Sequence, residues 1–296
     1  MLRQFSENRR RILPPRSTNE ILHFLLNVIM NTSMFTNLED ALKTPYPETV
    51  EVLNLTRTLP FSSSQPILTA LPSEIGSLRN LRVLNTANHQ LSVLPPELGQ
   101  CTKLRELDIS GNALVVVPEA LTHLRALRVL RLSSNRLEEI PEALVLLRNL
   151  HELRIANNYL RRLPETLGSL PKLRMLLLGW NHLRRLPESL GSLRRLEVLS
   201  LEGNALEHVP NRIGNLLRLR ELYAASNKLR ELPASMVHLV NLRKLDLRDN
   251  RLERLPEGIE LLTELEELLL TRNRGAKIYA RRGRYDWQTL MSSGVN

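Results

Sequence analysis

The chain has 296 residues, of which 42% are hydrophobic and 4% aromatic, and its formal net charge is +10. This length is enough to bury a substantial core in one large domain or two ordinary ones. The single cysteine, Cys101, excludes an intrachain disulfide and favours a reducing compartment.

Positive charge is concentrated at the two ends of the chain. Residues 1–16 carry five arginines and one glutamate, and residues 271–296 carry six basic residues and one aspartate, so the sequence between them is nearly neutral. Arginine outnumbers lysine by 35 to six, a bias that is typical of a GC-rich genome and favours a bacterial source. We interpret residues 1–16 as a flexible basic arm. An organelle presequence and a signal for a specialised bacterial export system are the alternatives.

Residues 17–48 predict a helical N-terminal cap. Ser17 and Glu20 form a capping-box pattern before the apolar run ILHFLLNVIM (21–30), and Thr36 with Glu39 repeats that pattern. Polar residues interrupt this ten-residue run, no clear small-residue cleavage site follows it, and it is too short to span a bilayer. We therefore expect two capping helices in a cytoplasmic protein, or in one that reaches a host cytosol without a signal peptide. A helix offered to a partner groove or a membrane surface is the alternative.

From residue 49 to residue 274 the chain repeats with a period of 23 residues. Asparagine recurs at this spacing eight times, and proline does so from Pro72 to Pro256. Two residue types with one period predict about ten consecutive structural units, or coils. The asparagines, which we call the asparagine ladder, are Asn112, Asn135, Asn158, Asn181, Asn204, Asn227, Asn250 and Asn273.

One coil, LRVLRLSSNRLEEIPEALVLLRN (127–149), illustrates what each position does. Leu130 and Leu132 alternate with outward residues, as in a short strand with one buried face. The asparagine can bond backbone groups of the turn, and the proline ends the extended segment because it lacks an N–H and fixes φ. The leucines that follow predict a short helical or 3₁₀ return. No coil buries its apolar face alone, so stacked neighbours complete the core.

The first coils are less regular than the others. Their core leucines, Leu53 and Leu84, are 31 residues apart, so we expect eight extra residues to loop out around FSSSQP (61–66). His89 stands where the ladder predicts an asparagine.

The consensus LxxLxLxxNxLxxLPxxLxxLxx resembles the leucine-rich repeat of the intracellular 23-residue type, over roughly residues 50–275. The resemblance implies a curved α/β solenoid, with parallel strands on the concave face and short helical or 3₁₀ returns on the convex face. Similar repeats occur in Ras-suppressor and plant Ras-group scaffolds and in bacterial effectors delivered into host cells. The function implied is non-enzymatic protein binding in signalling, with an effector that acts on a host protein as one form of it.

Large apolar and aromatic residues interrupt the small and polar residues expected on the concave face. The coil at 173–195 places Met175, Leu177 and Trp180 there, and arginine, tryptophan and tyrosine are enriched at binding hot spots. We therefore predict a partner-binding site with Trp180 as its anchor. Its residues are Arg131, Arg154, Tyr159, Met175, Leu177, Trp180, Tyr223, Asp246 and Arg248. The alternative is that Trp180 folds back over Gly179 and Gly203 and only covers the sheet.

Two basic regions carry a second hypothesis. Arg161–Arg162, Arg184–Arg185 and Arg230 predict a salt-bridged, solvated edge, with an acidic-partner patch as the alternative. Residues 275–296 combine arginine with Tyr279, Tyr285 and Trp287 and predict a basic aromatic C-terminal cap or tail. Binding of nucleic acid or an acidic partner through the arginine-rich termini is the rival function.

No pattern in the chain predicts catalysis. The seven histidines are scattered, none falls at metal-ligand spacing, and no phosphate-binding loop or nucleophile motif is present. Cys101, just before a strand, fits a small buried thiol. We therefore expect no metal, no cofactor and no enzymatic activity.

Overall fold

A computed structural model of the protein describes residues 34–57 and 66–273, which form an open, curved solenoid. Within this part of the chain, eleven short parallel strands pair in sequence order into one sheet. The strands are β1 (Met34–Phe35), β2 (Val52–Asn54), β3 (Val83–Asn85), β4 (Glu106–Asp108), β5 (Val129–Arg131), β6 (Glu152–Arg154), β7 (Met175–Leu177), β8 (Val198–Ser200), β9 (Glu221–Tyr223), β10 (Lys244–Asp246) and β11 (Glu267–Leu269).

The 23-residue period sets the register of the sheet. From β3 onward each central leucine pairs with the leucine 23 residues later, as Leu107 does with Leu130 and Leu130 with Leu153. The central leucines are fully buried, whereas the first and third residues of most strands remain partly exposed. A slip of one residue would turn the leucines outward, so burial of one face fixes the pairing.

A short 3₁₀ segment lies between each pair of consecutive strands and returns the chain behind the sheet. Most of these segments begin directly after the repeated proline, which is extended at φ −62° to −73° and so directs the chain into the turn. The 3₁₀ segments are Pro47–Thr49, Ser73–Ser77, Pro96–Gln100, Glu119–His123, Glu142–Leu146, Glu165–Ser169, Glu188–Ser192, Asn211–Asn215, Ala234–His238 and Ile259–Leu261. Their leucines and isoleucines pack against the inward face of the sheet, and one continuous apolar core runs through the stacked coils.

The N-terminal end differs from the sequence-based expectation in two details. The strand β1 was not anticipated, and it pairs with β2 through Phe35 and Leu53, which lengthens the sheet by one strand. The helix α1 (Leu38–Leu42) begins after Asn37, not Thr36, because Asn37 is extended and its side chain accepts the backbone N–H of Glu39 at 2.8 Å. The capping box assigned to Thr36 and Glu39 was therefore wrong.

Several predicted regions lie wholly or partly outside the described residues. They are the basic arm (1–16), the first capping helix (17–31) and the C-terminal cap or tail (275–296). The predicted loop around 61–66 lies outside them too, except for its last residue. Leu53 nevertheless pairs with Leu84, so the 31-residue spacing leaves the register of the sheet intact.

No helix within residues 34–57 and 66–273 combines the length and the apolar character needed to cross a membrane.

Candidate functional site

The asparagine ladder holds the turn that follows each strand. Asn135 accepts the backbone N–H of Leu114 at 3.0 Å through Oδ1, and its Nδ2 donates to the carbonyls of Ile109 at 2.9 Å and Leu132 at 3.0 Å. The same three bonds recur at Asn112, Asn158, Asn181, Asn204, Asn227, Asn250 and Asn273. Each amide links its own turn to the preceding coil, so the turns form a rigid support for whatever they display.

His89 takes over this role in the coil of β3. Its Nδ1 accepts the backbone N–H of Leu68 at 3.2 Å, and its Nε2 lies 2.7 Å from the carbonyl of Leu55. The two bonds together require the neutral ring with the proton on Nε2. Burial lowers the pKa of His89, the hydrogen bond to Leu55 opposes that shift, and the charge of Arg57 adds to it.

The residue that precedes each ladder position adopts the left-handed conformation. This position has positive φ at Asn88, Gly111, Ser134, Asn157, Trp180, Gly203, Ser226, Asp249 and Arg272. Most of these residues are glycine, asparagine, aspartate or serine, which suit the conformation or cost little there. Trp180, at φ 57°, and Arg272, at φ 59°, are the two exceptions; Trp180 is the aromatic one, and a large side chain in this region is strained.

The structure places Trp180 in the turn after β7, at the edge of the concave face and not on the strand itself. Its residue surface is 61% exposed. Its indole atoms Cδ2 and Cε3 lie 2.7 Å from the point that a Cβ of residue 203 would occupy, so the ring covers Gly203 of the next coil. The indole therefore leans on one glycine, as the alternative interpretation expected, and still leaves most of the residue accessible.

Tyr159 and His182 form an exposed aromatic pair that spans the turns of two neighbouring coils. Both follow a ladder asparagine, and their ring centroids are 5.7 Å apart with planes tilted by 39°. Tyr159 is 50% exposed, and the neighbouring backbone N–H of Asn158 donates to the carbonyl of Trp180 at 3.1 Å. We call Tyr159, Trp180 and His182 the aromatic rim. His182 was missing from the predicted site, although its spacing of 23 residues from Tyr159 was a usable signal.

Met175 and Leu177 lie on β7 beside the aromatic rim. Both are half-buried outward residues of the concave face. In the register of the sheet, Leu177 lies between Arg154 of β6 and Ser200 of β8. Leu177 therefore has polar neighbours in both adjacent coils, whereas Met175 lies between Glu152 and the apolar Val198.

The predicted arginines near β6 are held by an acidic residue that sequence reasoning missed. Glu152 forms ion pairs with both arginines: its Oε1 lies 2.8 Å from Arg131 Nε and 2.7 Å from Arg154 Nε. Glu152 precedes Arg154 by two positions, so alternation along a strand could have placed both on the same face. The shared carboxylate orients both guanidinium groups on the concave face.

The predicted polar residues near β9 and β10 are also paired within the chain. Arg248 donates to Asp246 Oδ1 at 2.9 Å and Oδ2 at 2.6 Å, and Asp246 is buried. Tyr223 donates to Glu221 at 2.8 Å, while Lys244 Nζ lies 5.5 Å from the tyrosine ring centroid. Burial, the bond to Glu221 and nearby carboxylates raise the pKa of Tyr223 to about 12, so the phenol is neutral at neutral pH.

Metal-binding clusters and an accessible thiol are both absent from the described residues. These residues contain no cluster of three or more histidine, cysteine or acidic side chains that could hold a metal ion. Cys101 is buried, its Sγ contacts the carbonyl of Ile75 at 3.3 Å, and burial raises the thiol pKa to about 11. A thiol held protonated in this way is a poor nucleophile.

Comparison with known proteins identifies related repeats. A sequence model of the family described as Leucine rich repeat matches residues 79–137, 125–183 and 217–274, more than half of the chain. A leucine-rich repeat protein of Leptospira interrogans is 27% identical, with a TM-score of 0.58 over 84% of this chain and 72% of that one. None of the curated proteins compared with the chain matches it.

Two plant receptors share the fold over part of their length. The Arabidopsis receptor kinase HAESA, solved with the peptide hormone IDA and the co-receptor SERK1, is 30% identical, with a TM-score of 0.66 over 77% of this chain and 38% of that one. The plant peptide hormone receptor RGFR1, solved with RGF2, is 28% identical, with a TM-score of 0.65 over 78% of this chain and 43% of that one. The chain spans less than half the length of either receptor.

Proposed function

We propose that this chain, which belongs to the leucine-rich repeat family, is a non-enzymatic module that binds a protein partner through the concave face around β7, with Trp180 of the aromatic rim as the anchor. The family and fold are typical of protein-interaction scaffolds. The similar plant receptors were solved with peptide hormones, and one of them also with a co-receptor, which supports a polypeptide partner.

Trp180 is the observation that carries the proposal. A tryptophan in the left-handed region costs about 1 kcal/mol or more, and the other described coils close the same turn with smaller or polar residues. The side chain is 61% exposed, so burial within the chain recovers only part of that cost. A strained and exposed aromatic residue on a rigid turn is consistent with selection for binding, since rigid aromatic anchors dominate interface energies.

The surroundings of Trp180 fit the anatomy of a protein interface. Met175 and Leu177 supply an apolar centre, and Tyr159 extends it along the rim. Arg131 and Arg154, oriented by Glu152, supply polar groups whose positions are set before a partner arrives. An apolar centre with a polar border is the usual arrangement, and fixed side chains reduce the entropy lost on binding.

A bacterial effector that acts on a protein of a host cytosol is the form of this function that we favour. It is supported by the excess of arginine over lysine and by similarity to a protein of Leptospira interrogans. Host-cell lysate is therefore the first place to look for the partner.

The test is a capture experiment followed by an affinity measurement. Immobilised wild-type chain, Trp180→Gly and Tyr46→Ala are incubated with lysate, and bound proteins are identified by mass spectrometry. Glycine is native at the equivalent turns of residues 111 and 203, so Trp180→Gly keeps the fold. Tyr46, 40% exposed, is an aromatic control far from the rim.

For a captured protein, we expect calorimetry to show that Trp180→Gly weakens binding by about 30-fold or more, whereas Tyr46→Ala leaves it unchanged. Equal affinity of Trp180→Gly and wild type would remove Trp180 from the site. Nucleic acid recovered with all three variants would instead support the rival function of the basic termini.

A further inference from the structure

The nearly neutral body of the chain conceals a strong separation of charge. Seven consecutive four-residue segments lead from the 3₁₀ turns Ser73–Ser77 to Asn211–Asn215 into the strands that follow them, at 79–82, 102–105, 125–128, 148–151, 171–174, 194–197 and 217–220, and they contain thirteen basic residues and one acidic residue. The corresponding segments at 240–243 and 263–266 end this bias, because they contain one arginine and two glutamates. The basic residues, which we call the basic edge, are Arg79, Arg82, Lys103, Arg105, Arg125, Arg128, Arg148, Lys172, Arg174, Arg194, Arg195, Arg218 and Arg220. Glu197 is the acidic one. Many glutamates instead follow the repeated prolines, at the opposite end of the 3₁₀ turns, as Glu142 and Glu165 do.

The backbone stacks these segments directly on one another. The carbonyl of Arg82 accepts the N–H of Arg105 at 2.7 Å, and the carbonyl of Arg105 accepts that of Arg128 at 2.8 Å. This pattern continues through the later coils as far as Arg220. Neighbouring coils are about 4.8 Å apart, so positive charges recur along one line, interrupted at His151 and Glu197, on the side of the concave face where the strands begin.

Most of this positive charge has no ionic partner within the described residues. Only two residues of the basic edge lie within 4.0 Å of a carboxylate of the described residues. Arg82 is 3.2 Å from Glu51, and Arg174 is 3.7 Å from Glu197. Others donate to neutral acceptors, as Arg125 does to the carbonyl of Leu146 at 2.9 Å. Carboxylates at the nearby strand starts, Glu106, Glu152 and Glu221, are fewer than the arginines, and the last two bond Arg131, Arg154 and Tyr223. Stacked like charges repel one another, so an acidic ligand would relieve repulsion along this edge.

Hydrogen bonds between coils hold part of the basic edge in place. Lys103 Nζ donates to Asn80 Oδ1 at 2.6 Å, and Lys172 Nζ donates to Asn149 Oδ1 at 2.7 Å. The same two asparagines donate to backbone carbonyls of the preceding coils. These ammonium groups are therefore positioned before any ligand binds, which lowers the entropy lost on binding.

We propose that the basic edge docks an acidic, extended segment of the protein partner. This inference rests on the proposed function, because it specifies the acidic character of the partner that binds the concave face. Arginine forks match carboxylates bidentately, and the edge borders the concave face, so one polypeptide can reach both. The seven described segments contain no phenylalanine, tyrosine or tryptophan, whereas single-stranded nucleic acid binding relies on aromatic stacking. The basic edge is also a single narrow line of charge, and this shape suits one extended polypeptide.

The probe for the test is a fluorescein-labelled polyglutamate peptide of about 20 residues, titrated with the full chain at about 50 mM salt, where screening is weak. The edge variant combines Arg105→Glu, Arg128→Glu and Arg148→Glu, and none of these arginines lies within 4.0 Å of a carboxylate of the described residues. The matched control combines Arg136→Glu, Arg212→Glu and Arg254→Glu, which are also exposed, lie outside the basic edge and change the net charge by the same amount. Circular dichroism establishes that both fold.

We expect the edge variant to lose about tenfold or more in affinity for polyglutamate and the control less than about threefold. Equal losses would show that net charge alone acts and would overturn the proposal, as would an unchanged edge variant. A single-stranded oligonucleotide and phosphatidylserine vesicles are compared in the same assay. A greater edge-dependent loss for either of these than for polyglutamate would reject a polypeptide ligand. Trp180→Gly should bind polyglutamate like wild type, so failure of the anchor and failure of the basic edge give different results.

Discussion

The turns at His89 and Trp180 both depart from the repeat, and they do so in opposite ways. His89 replaces a buried ladder asparagine and reproduces its bonds to the backbone of the preceding coil, with an imidazole in place of the amide. Trp180 replaces a small turn residue, keeps the left-handed backbone and leaves its side chain 61% exposed. A residue that replaces a buried ladder asparagine must restore the hydrogen bonds of that asparagine. A residue that replaces an exposed turn residue has no such requirement and is available to bind a partner. Four measurements can break or sharpen this comparison.

The largest expected effect is at a regular ladder position, where nothing replaces the amide. Asn158→Ala leaves the N–H of Leu137 and the carbonyls of Leu132 and Ile155 without their side-chain partner. We expect a loss of about 2–4 kcal/mol in the free energy of unfolding, measured by urea denaturation. The control Asn149→Ala removes one exposed and one part-buried hydrogen bond and should cost less than about 1 kcal/mol. Equal losses would mean that burial of the ladder is unimportant.

A second, smaller loss is expected where the indole meets the next coil. Gly203 has φ 66°, and an added Cβ would lie 2.7 Å from the Trp180 ring. Gly203→Ala should therefore cost about 1–2 kcal/mol through backbone strain and displacement of the ring. In the Trp180→Gly background the same substitution should cost less, because only the backbone strain remains. Strictly additive losses in this double-mutant cycle would argue against the contact.

The His89 turn should respond to pH, unlike the asparagine turns. The pKa of His89 is lowered in the folded state, chiefly by burial, so the unfolded chain binds the proton more readily. The stability that the neutral His89 ring contributes is therefore fully present at pH values above its ordinary pKa of 6.5. It is lost as the pH falls through 6.5 toward the lowered pKa of the folded state. Thermal melts between about pH 7 and pH 5 should show a larger fall in Tm for wild type than for His89→Asn. Parallel curves would remove His89 as the cause.

The smallest effect is a gain in stability at the proposed anchor. Trp180→Gly relieves the left-handed strain but loses the contact with Gly203, whereas Trp180→Ala loses the contact and keeps the strain. We expect Trp180→Gly to be more stable than Trp180→Ala by about 1 kcal/mol, and close to or slightly above wild type, in urea denaturation. A large loss in Trp180→Gly would make the indole a structural residue.

Much of the proposed site could be named from the sequence because the repeat assigns each residue to a column. Met175, Leu177 and Trp180 share one coil, and their apolar character contrasts with the small and polar residues at the same positions of other coils. Alternation along the chain could place Glu152 beside Arg154 and Asp246 beside Arg248, but it could not show that Glu152 also holds Arg131, which lies one coil away. Arg131 and Arg154 share Glu152, and Arg248 closes onto Asp246, so these predicted binding residues are already paired within the chain.

The sequence by itself determined the solenoid, its register and its leucine core, because a fixed 23-residue spacing brings the same residue types together in every coil. The tertiary structure alone decided three further features. It gave the residue at 180 a positive φ, since that sign depends on how the turn is bonded to the next coil. It moved the helix cap to Asn37 and added β1, since local capping and strand pairing compete only once the chain is folded. It also aligned the arginines of seven separate segments into one line, because stacking converts a periodic position into a continuous surface.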